Sequence, residues 1–206
     1  MELIKKYFSN LDPDQYRKYE QLYPLYQEWN EKINLISRKD FQFLYERHVL
    51  HSLAIAKTFN FPDNAVIMDA GTGGGFPGIP LAIYFPNVNF HLVDSTGKKI
   101  RAVENIAKNL DLKNVRTEIN RAELINNKYD YVVSRAVAPL QDIIKWTWKK
   151  ILTNKNADPK PGIIYLKGGE VHEELNQIDY NYRIIRIKHF FEEEFFEHKL
   201  VIHIFR

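Results

Sequence analysis

The stretch AVIMDAGTGGGFPG, residues 65–78, decides the fold. An apolar run leads into Asp69, and five of the chain's nine glycines then fall at positions 71, 73, 74, 75 and 78. A buried strand that empties into a glycine-crowded turn and restarts as a helix is how parallel α/β proteins make room for a nucleotide-like ligand. A Cβ at Gly71, Gly73 or Gly75 would occupy the space of a ligand lying against the backbone. A plain loop can also be rich in glycine, but it rarely follows a hydrophobic strand ending in Asp and precedes an amphipathic helix.

Two frames fit the loop. Gly73, Gly75 and Gly78 match G-x-G-x-x-G, which points to a dinucleotide. Asp69-x-Gly71-x-Gly73-x-Gly75 resembles motif I of methyltransferases that use S-adenosylmethionine (SAM). Pro77 and Pro80 fall at the start of the next helix, where they remove N–H groups that a pyrophosphate would use. SAM carries no phosphate and loses nothing there, so this frame is favoured.

Working upstream, residues 1–64 read as a helical extension packed on a core domain of residues 65–206. Asp12-Pro13 is a cap followed by a first-turn proline. Tyr16, Tyr19, Leu22, Tyr23, Tyr26 and Trp29 then share one face at helical spacing, and such a stripe is more often core than a platform for bases. Trp29–Ser37 reads as a polar turn, and a second helix begins near Asp40 and carries Phe41, Leu44, His48, Leu53 and Ile55. His48 and His51 share a face, but without a third ligand no metal site is expected.

Downstream, strand and helix periods alternate, which predicts a parallel sheet. Strands are expected at Val66–Ala70, Asn89–Asp94, Val115–Ile119, Tyr129–Ser134 and Gly162–Lys167. Helices are expected from Ile79, over Lys98–Leu110 and over Gln141–Leu152, with a loop at Thr153–Pro161. Tyr182–His189 and Lys199–Phe205 alternate as a C-terminal hairpin. The fold class expected is a Rossmann-like α/β methyltransferase with a mostly parallel seven-stranded sheet.

The chain's 206 residues suit one domain with an appendage. With no run of 18 apolar residues and no leader pattern at MELIKKYF, a cytoplasmic protein with no membrane partner is expected. A net charge of +3 allows a polyanionic partner without demanding one. There are no cysteines, which excludes disulfides, thiolate metal sites and cysteine nucleophiles.

Asp94 ends the second strand and can accept hydrogen bonds from ribose hydroxyls, or it caps the following helix. Lys98 and Lys99 open that helix against its dipole, at about 0.3–1 kcal/mol each, which leaves open a phosphate contact or plain solvation. Arg121-Ala122-Glu123 follows strand three, where this fold holds an adenine, although Arg-x-Glu is also a common surface pair. Arg135 ends strand four and faces the crevice, where it could meet a substrate phosphate or the SAM carboxylate, or salt-bridge Asp130. Lys167-Gly168-Gly169 ends strand five with similar ambiguity.

DAGTGGGFPGIPLAI, LVDSxxKK, NRAE, SRAVA and LKGG, with WNEKINLIS and RHVLHSL upstream, together resemble the ribosomal RNA small-subunit methyltransferase G family, also called glucose-inhibited division protein B. The likeness spans roughly residues 29–169 in order. It implies methylation of guanine N7 in 16S ribosomal RNA, free or in the small subunit, by a protein expected to be monomeric. By the same likeness SAM would contact Gly71, Phe76, Ala122, Glu123 and Arg135, with Asp94 on its ribose and Gly73 in the cradle. One departure is His51-Ser52-Leu53, where the family usually has Asp-Ser-Leu.

The residue inventory agrees with that chemistry. The (Asp/Asn)-Pro-Pro-aromatic tetrapeptide of exocyclic-amine methylation is replaced by Ser134-Arg135-Ala136-Val137. Guanine N7 presents a free lone pair and needs alignment, not a general base, so no catalytic residue in the strict sense is expected. A SAM enzyme acting on a protein or small molecule, a nicotinamide oxidoreductase and a non-catalytic SAM sensor remain the alternatives.

Overall fold

The computed structural model describes residues 1–153 and 157–206. Seven strands form one sheet: β1 Val66–Ala70, β2 Asn89–Asp94, β3 Val115–Ile119, β4 Tyr131–Arg135, β5 Gly162–Gly168, β6 Asn181–Arg186 and β7 Lys199–Phe205. Their order is β3-β2-β1-β4-β5-β7-β6. The first five run parallel, and β7 lies antiparallel between β5 and β6. Strands β1, β4 and β5 are covered on both faces, and their sequences are accordingly continuous apolar runs. The order reverses between β1 and β4, and that crevice outside the carboxyl ends is where open α/β sheets take ligands.

The helices are α1 Glu2–Tyr7, α2 Pro13–Lys32, α3 Arg38–Phe41, α4 His51–Leu53, α5 Gly78–Tyr84, α6 Gly97–Asn109, α7 Leu140–Thr147 and α8 His172–Leu175. Asp12 and Gln15 form a reciprocal capping box at the start of α2. Half of its expected stripe is core: Tyr19, Leu22 and Tyr26 are fully buried, Tyr16 and Trp29 are half-buried, and Tyr23 is exposed. Each buried phenol also meets a backbone carbonyl, with Tyr19 donating to Pro80 O at 2.8 Å and Tyr26 to Gly74 O at 2.7 Å. The N-terminal helix thereby braces the glycine loop from behind, and its residues share one hydrophobic core with the sheet.

Several boundaries differ from the sequence reading. Helix α2 continues through Trp29–Lys32, so the polar turn is shorter than the composition suggests. The single helix expected from Asp40 is three pieces: α3 starts earlier because Ser37 caps it, Leu44–Leu50 winds as a π-helix, and α4 follows. Strand β4 begins at Tyr131, because Asp130 turns its carboxylate onto the Val66 amide at 2.8 Å and Tyr129 bridges to Ile151. The helix expected over 141–152 tightens to a 3₁₀ turn at Trp148–Lys150, and β6 stops at Arg186 before another at Ile187–His189. Helix α8 has no counterpart in the sequence reading. Residues 154–156 of the expected loop lie outside the described residues. Among the described residues no helix is long and apolar enough to cross a membrane.

Candidate donor-binding site

The glycine loop is shaped by Asp69, the last polar residue of β1. Its Oδ2 accepts hydrogen bonds from Thr72 Oγ1 at 2.6 Å and from Gly78 N at 2.8 Å, tying the loop's entry to the first amide of α5. Oδ1 is buried without a partner. Burial pushes the Asp69 carboxyl up to about 7, against the opposing effect of the Thr72 and Gly78 hydrogen bonds.

That shift sets a pH dependence. A carboxyl raised above its unfolded value of about 3.9 binds a proton in the folded state that the unfolded chain has already released. Its contribution is therefore most favourable below pH 4, declines as pH rises through the window from about 4 to 7, and is flat above. Asp69→Asn keeps the acceptor oxygen and removes the titration. Its urea midpoint should gain on that of the wild type between pH 4.5 and 7.5, and a constant difference across that range would count against the buried, titrating carboxyl.

A cavity of about 550 Å³ opens beyond the loop, at the switch between β1 and β4. Its floor is Gly71, Gly73 and Phe76; one side is Asp94; the far end is Ala122 and Glu123; Arg135 closes the β4 side. The structure thus brings the candidate residues from four separate segments around one cavity. The volume lies in the range of small-ligand sites.

Asp94 is not the cap of α6, whose N-cap is Thr96. Its Oδ2 accepts from Gly73 N at 2.9 Å and its Oδ1 from Thr96 N at 2.8 Å. A carboxylate has about four lone-pair sites, so both oxygens keep capacity toward the cavity. Gly73 has φ +55°, and a Cβ there would meet no atom within 4 Å, so it would stand in open space. This is the one glycine of the loop where a side chain meets no protein; at Gly75 it would come within 2.8 Å of Ile79. A cradle open at this point, beside a carboxylate with free acceptor sites, fits an adenosyl ligand.

Arg121 and Glu123 form the exposed pair considered above, at 3.9 Å. Arg135 departs from the sequence reading. It does not reach Asp130; its guanidinium lies 5.1 Å over the Phe76 ring, with Nη1 donating to Arg47 O at 3.3 Å and Nη2 lying 3.1 Å from His48 Nδ1. Burial lowers its pKa to about 10, with Asp69 pulling the other way, so it stays cationic. Burial, then the Arg135 charge, holds His48 down to about 3, so the imidazole is neutral and accepts from the guanidinium.

Leu35, Ile143 and Trp146 line the cavity without having been expected there, whereas Val137 belongs to the Ser134–Ala138 segment read as facing the crevice. Leu35 comes from the turn after α2, and Val137 packs directly on Gly71. Ile143 and Trp146 belong to α7, which packs on the Ala122–Leu124 turn. Lys99 also lines the cavity, whereas Lys98 is exposed.

Residues 15–201 match the model of a protein family described as rRNA small subunit methyltransferase G (GidB). The chain belongs to this family. It is 49% identical over 204 residues to the ribosomal RNA small subunit methyltransferase G of Cytophaga hutchinsonii, covering 99% of each chain. It is 52% identical over 204 residues to the protein of that name from Phocaeicola vulgatus, covering 99% of this chain and 98% of the relative. Among solved structures it resembles a SAM-dependent methyltransferase from Aquifex aeolicus, with a TM-score of 0.56 and 14% identity over 83% of this chain and all (100%) of that one. A precorrin-6y C5,15-methyltransferase from Geobacter metallireducens gives a TM-score of 0.55 at 12% identity, covering 84% and 91%. These two show the Rossmann-like methyltransferase fold. Membership of the methyltransferase G family makes the chain an enzyme of SAM-dependent methyl transfer.

Proposed function

We propose that this enzyme methylates N7 of a specific guanine in 16S ribosomal RNA, within the RNA alone or in the small subunit, as a cytoplasmic monomer. The observation that carries this reading is the state of the two carboxylates on the cavity wall. Asp94 is held by the Gly73 and Thr96 amides with acceptor capacity left toward the cavity, and Glu123 is an exposed side chain 3.9 Å from Arg121. Both serve donor binding in this reading, which suits an acceptor nitrogen with no proton to remove. Bound SAM supplies an electrophilic sulfonium methyl.

The chain's own residues then bind and align. Asp94 would accept from the ribose hydroxyls with the lone pairs the loop leaves free. The Ala122–Leu124 turn, with Ile143 and Trp146 of α7 beside it, offers a polar edge and an apolar wall suited to an adenine. Gly71, Gly73, Phe76 and Arg135 would surround the amino-acid end. Well-oriented alignment of this kind can supply on the order of 7–11 kcal/mol of a barrier. In this reading residues 65–206 are the donor-binding domain, and 1–64 the helical extension that braces its glycine loop.

The test uses labelled SAM and 16S RNA from cells lacking the modification. Label should enter the RNA at one guanine, and aniline cleavage after borohydride reduction should map it to N7. Label in protein or small molecules but not in RNA would overturn the assignment. Light scattering during the same preparation reads the monomer.

A further inference from the structure

Arg135 forms part of two walls. Behind it, between the π-helix Leu44–Leu50, the ends of β4 and β5 and the start of β7, lies a second pocket of about 210 Å³. Arg47, His48, His51, Arg135, Lys167 and Lys199 line it. Its one lining carboxylate, Asp40, is already engaged with Arg47 at 2.7 Å, and Lys167 pairs with Glu174 outside the lining. Two of the four cations are thus paired.

The other two cations, Arg135 and Lys199, have no carboxylate partner among the described residues, and aromatic rings support them instead. Lys199 Nζ lies 4.7 Å over Phe195, as Arg135 lies over Phe76. Three of the neighbouring turn's four glutamates are drawn away: Glu192 and Glu193 contact Lys6, and Glu197 pairs with Lys188. Within the cluster, two buried nitrogens have no hydrogen-bond partner, Arg47 Nε and His51 Nε2. His51 itself is 6% exposed. A buried guanidinium N–H without an acceptor, at Arg47 Nε, beside cations without anions, marks a place where acceptor oxygens are missing.

We infer that this pocket binds a backbone phosphate of the acceptor RNA, next to the nucleotide presented to the donor cavity. A phosphodiester supplies one negative charge and several acceptor oxygens to a site short of both. The position fits, because Arg135 is common to the two walls at the carboxyl edge of the sheet. The inference rests on the RNA-acceptor reading above.

The test is equilibrium binding of unmethylated 16S transcript to the full chain across a potassium chloride series. Neutralising one phosphate contact lowers the slope of log affinity against log salt by about 0.7–0.9. Lys199→Gln should show that loss and several-fold weaker binding at low salt. Its SAM affinity should not change, and its thermal unfolding should stay close to wild type. Lys199→Arg should restore the slope. An unchanged slope in Lys199→Gln would overturn the phosphate site. Because binding is read without methyl transfer, an RNA bound through Lys199 yet never methylated would sink the reaction assignment and leave the pocket standing.

Discussion

Gly73→Val is expected to abolish measurable SAM binding while the sheet stays folded. At φ +55° an L-residue sits in the left-handed region, at about 1–2 kcal/mol, and a β-branched one is worse placed still. For a chain of this size about 2 kcal/mol lowers the unfolding temperature by roughly 4–8 °C. The larger effect falls on the ligand. The valine carbons project from a point with no protein atom within 4 Å, into the volume proposed for the donor. The same residue's amide holds Asp94 Oδ2, so displacement of the loop also disturbs the carboxylate proposed to face the ribose.

Titration calorimetry with SAM should therefore show a loss of at least about 100-fold, equivalent to roughly 2.7 kcal/mol. Gly73→Ala shares the backbone strain but fills less of the cavity, so it should retain more affinity at a similar unfolding temperature. Gly75 could not serve, because a side chain there meets Ile79 and the Tyr26 hydroxyl, and the variant would lose packing as well as ligand. Wild-type affinity in a folded Gly73→Val protein would place the donor elsewhere.

How much of this was legible depends on the range of the interactions. Strands β1 and β2 have the boundaries read from the sequence, because a buried parallel strand is a local apolar run with glycine or polar punctuation; the exposed edge strand β3 keeps its expected bounds through the alternation of VRTEI. The place of the site followed from the same signal, since the glycine loop must lie at the carboxyl edge of β1. The loop's internal bracing was not legible. That Asp69 reaches forward nine residues to Gly78 N, and Asp94 back to Gly73 N, depends on side-chain direction. The π-helix at Leu44–Leu50 has no distinct period in so short a segment, yet it sets Arg47 and His48 against β4. Helix α7 was expected without a face assigned, and only the packed topology shows that Ile143 and Trp146 reach the cavity.

The same long-range packing changes what is expected of Arg135→Ala. A crevice-edge arginine read from sequence would be removable at little cost to stability. In the structure its guanidinium joins segments 87 and 88 residues apart, meeting His48 and the Arg47 carbonyl while covering Phe76. Truncation leaves the Arg47 carbonyl and the His48 Nδ1 acceptor without their donor and uncovers one face of the Phe76 ring. A charged hydrogen bond with its ring contact contributes roughly 2–3 kcal/mol, so thermal unfolding should fall by about 4–12 °C. Phe76 forms the cavity floor, so its loosening displaces the donor, and a shift of about 1 Å can cost 100-fold in rate. Single-turnover methyl transfer at saturating SAM, measured well below the variant's unfolding transition, should drop by at least that factor. Arg135→Lys keeps the charge but not the two-pronged reach, and should regain part of the stability with little of the rate. If Arg135→Ala unfolds early yet transfers methyl at the wild-type rate while folded, the guanidinium is structural and does not position the donor. If neither quantity moves, the joint between the π-helix and β4 does not exist as described.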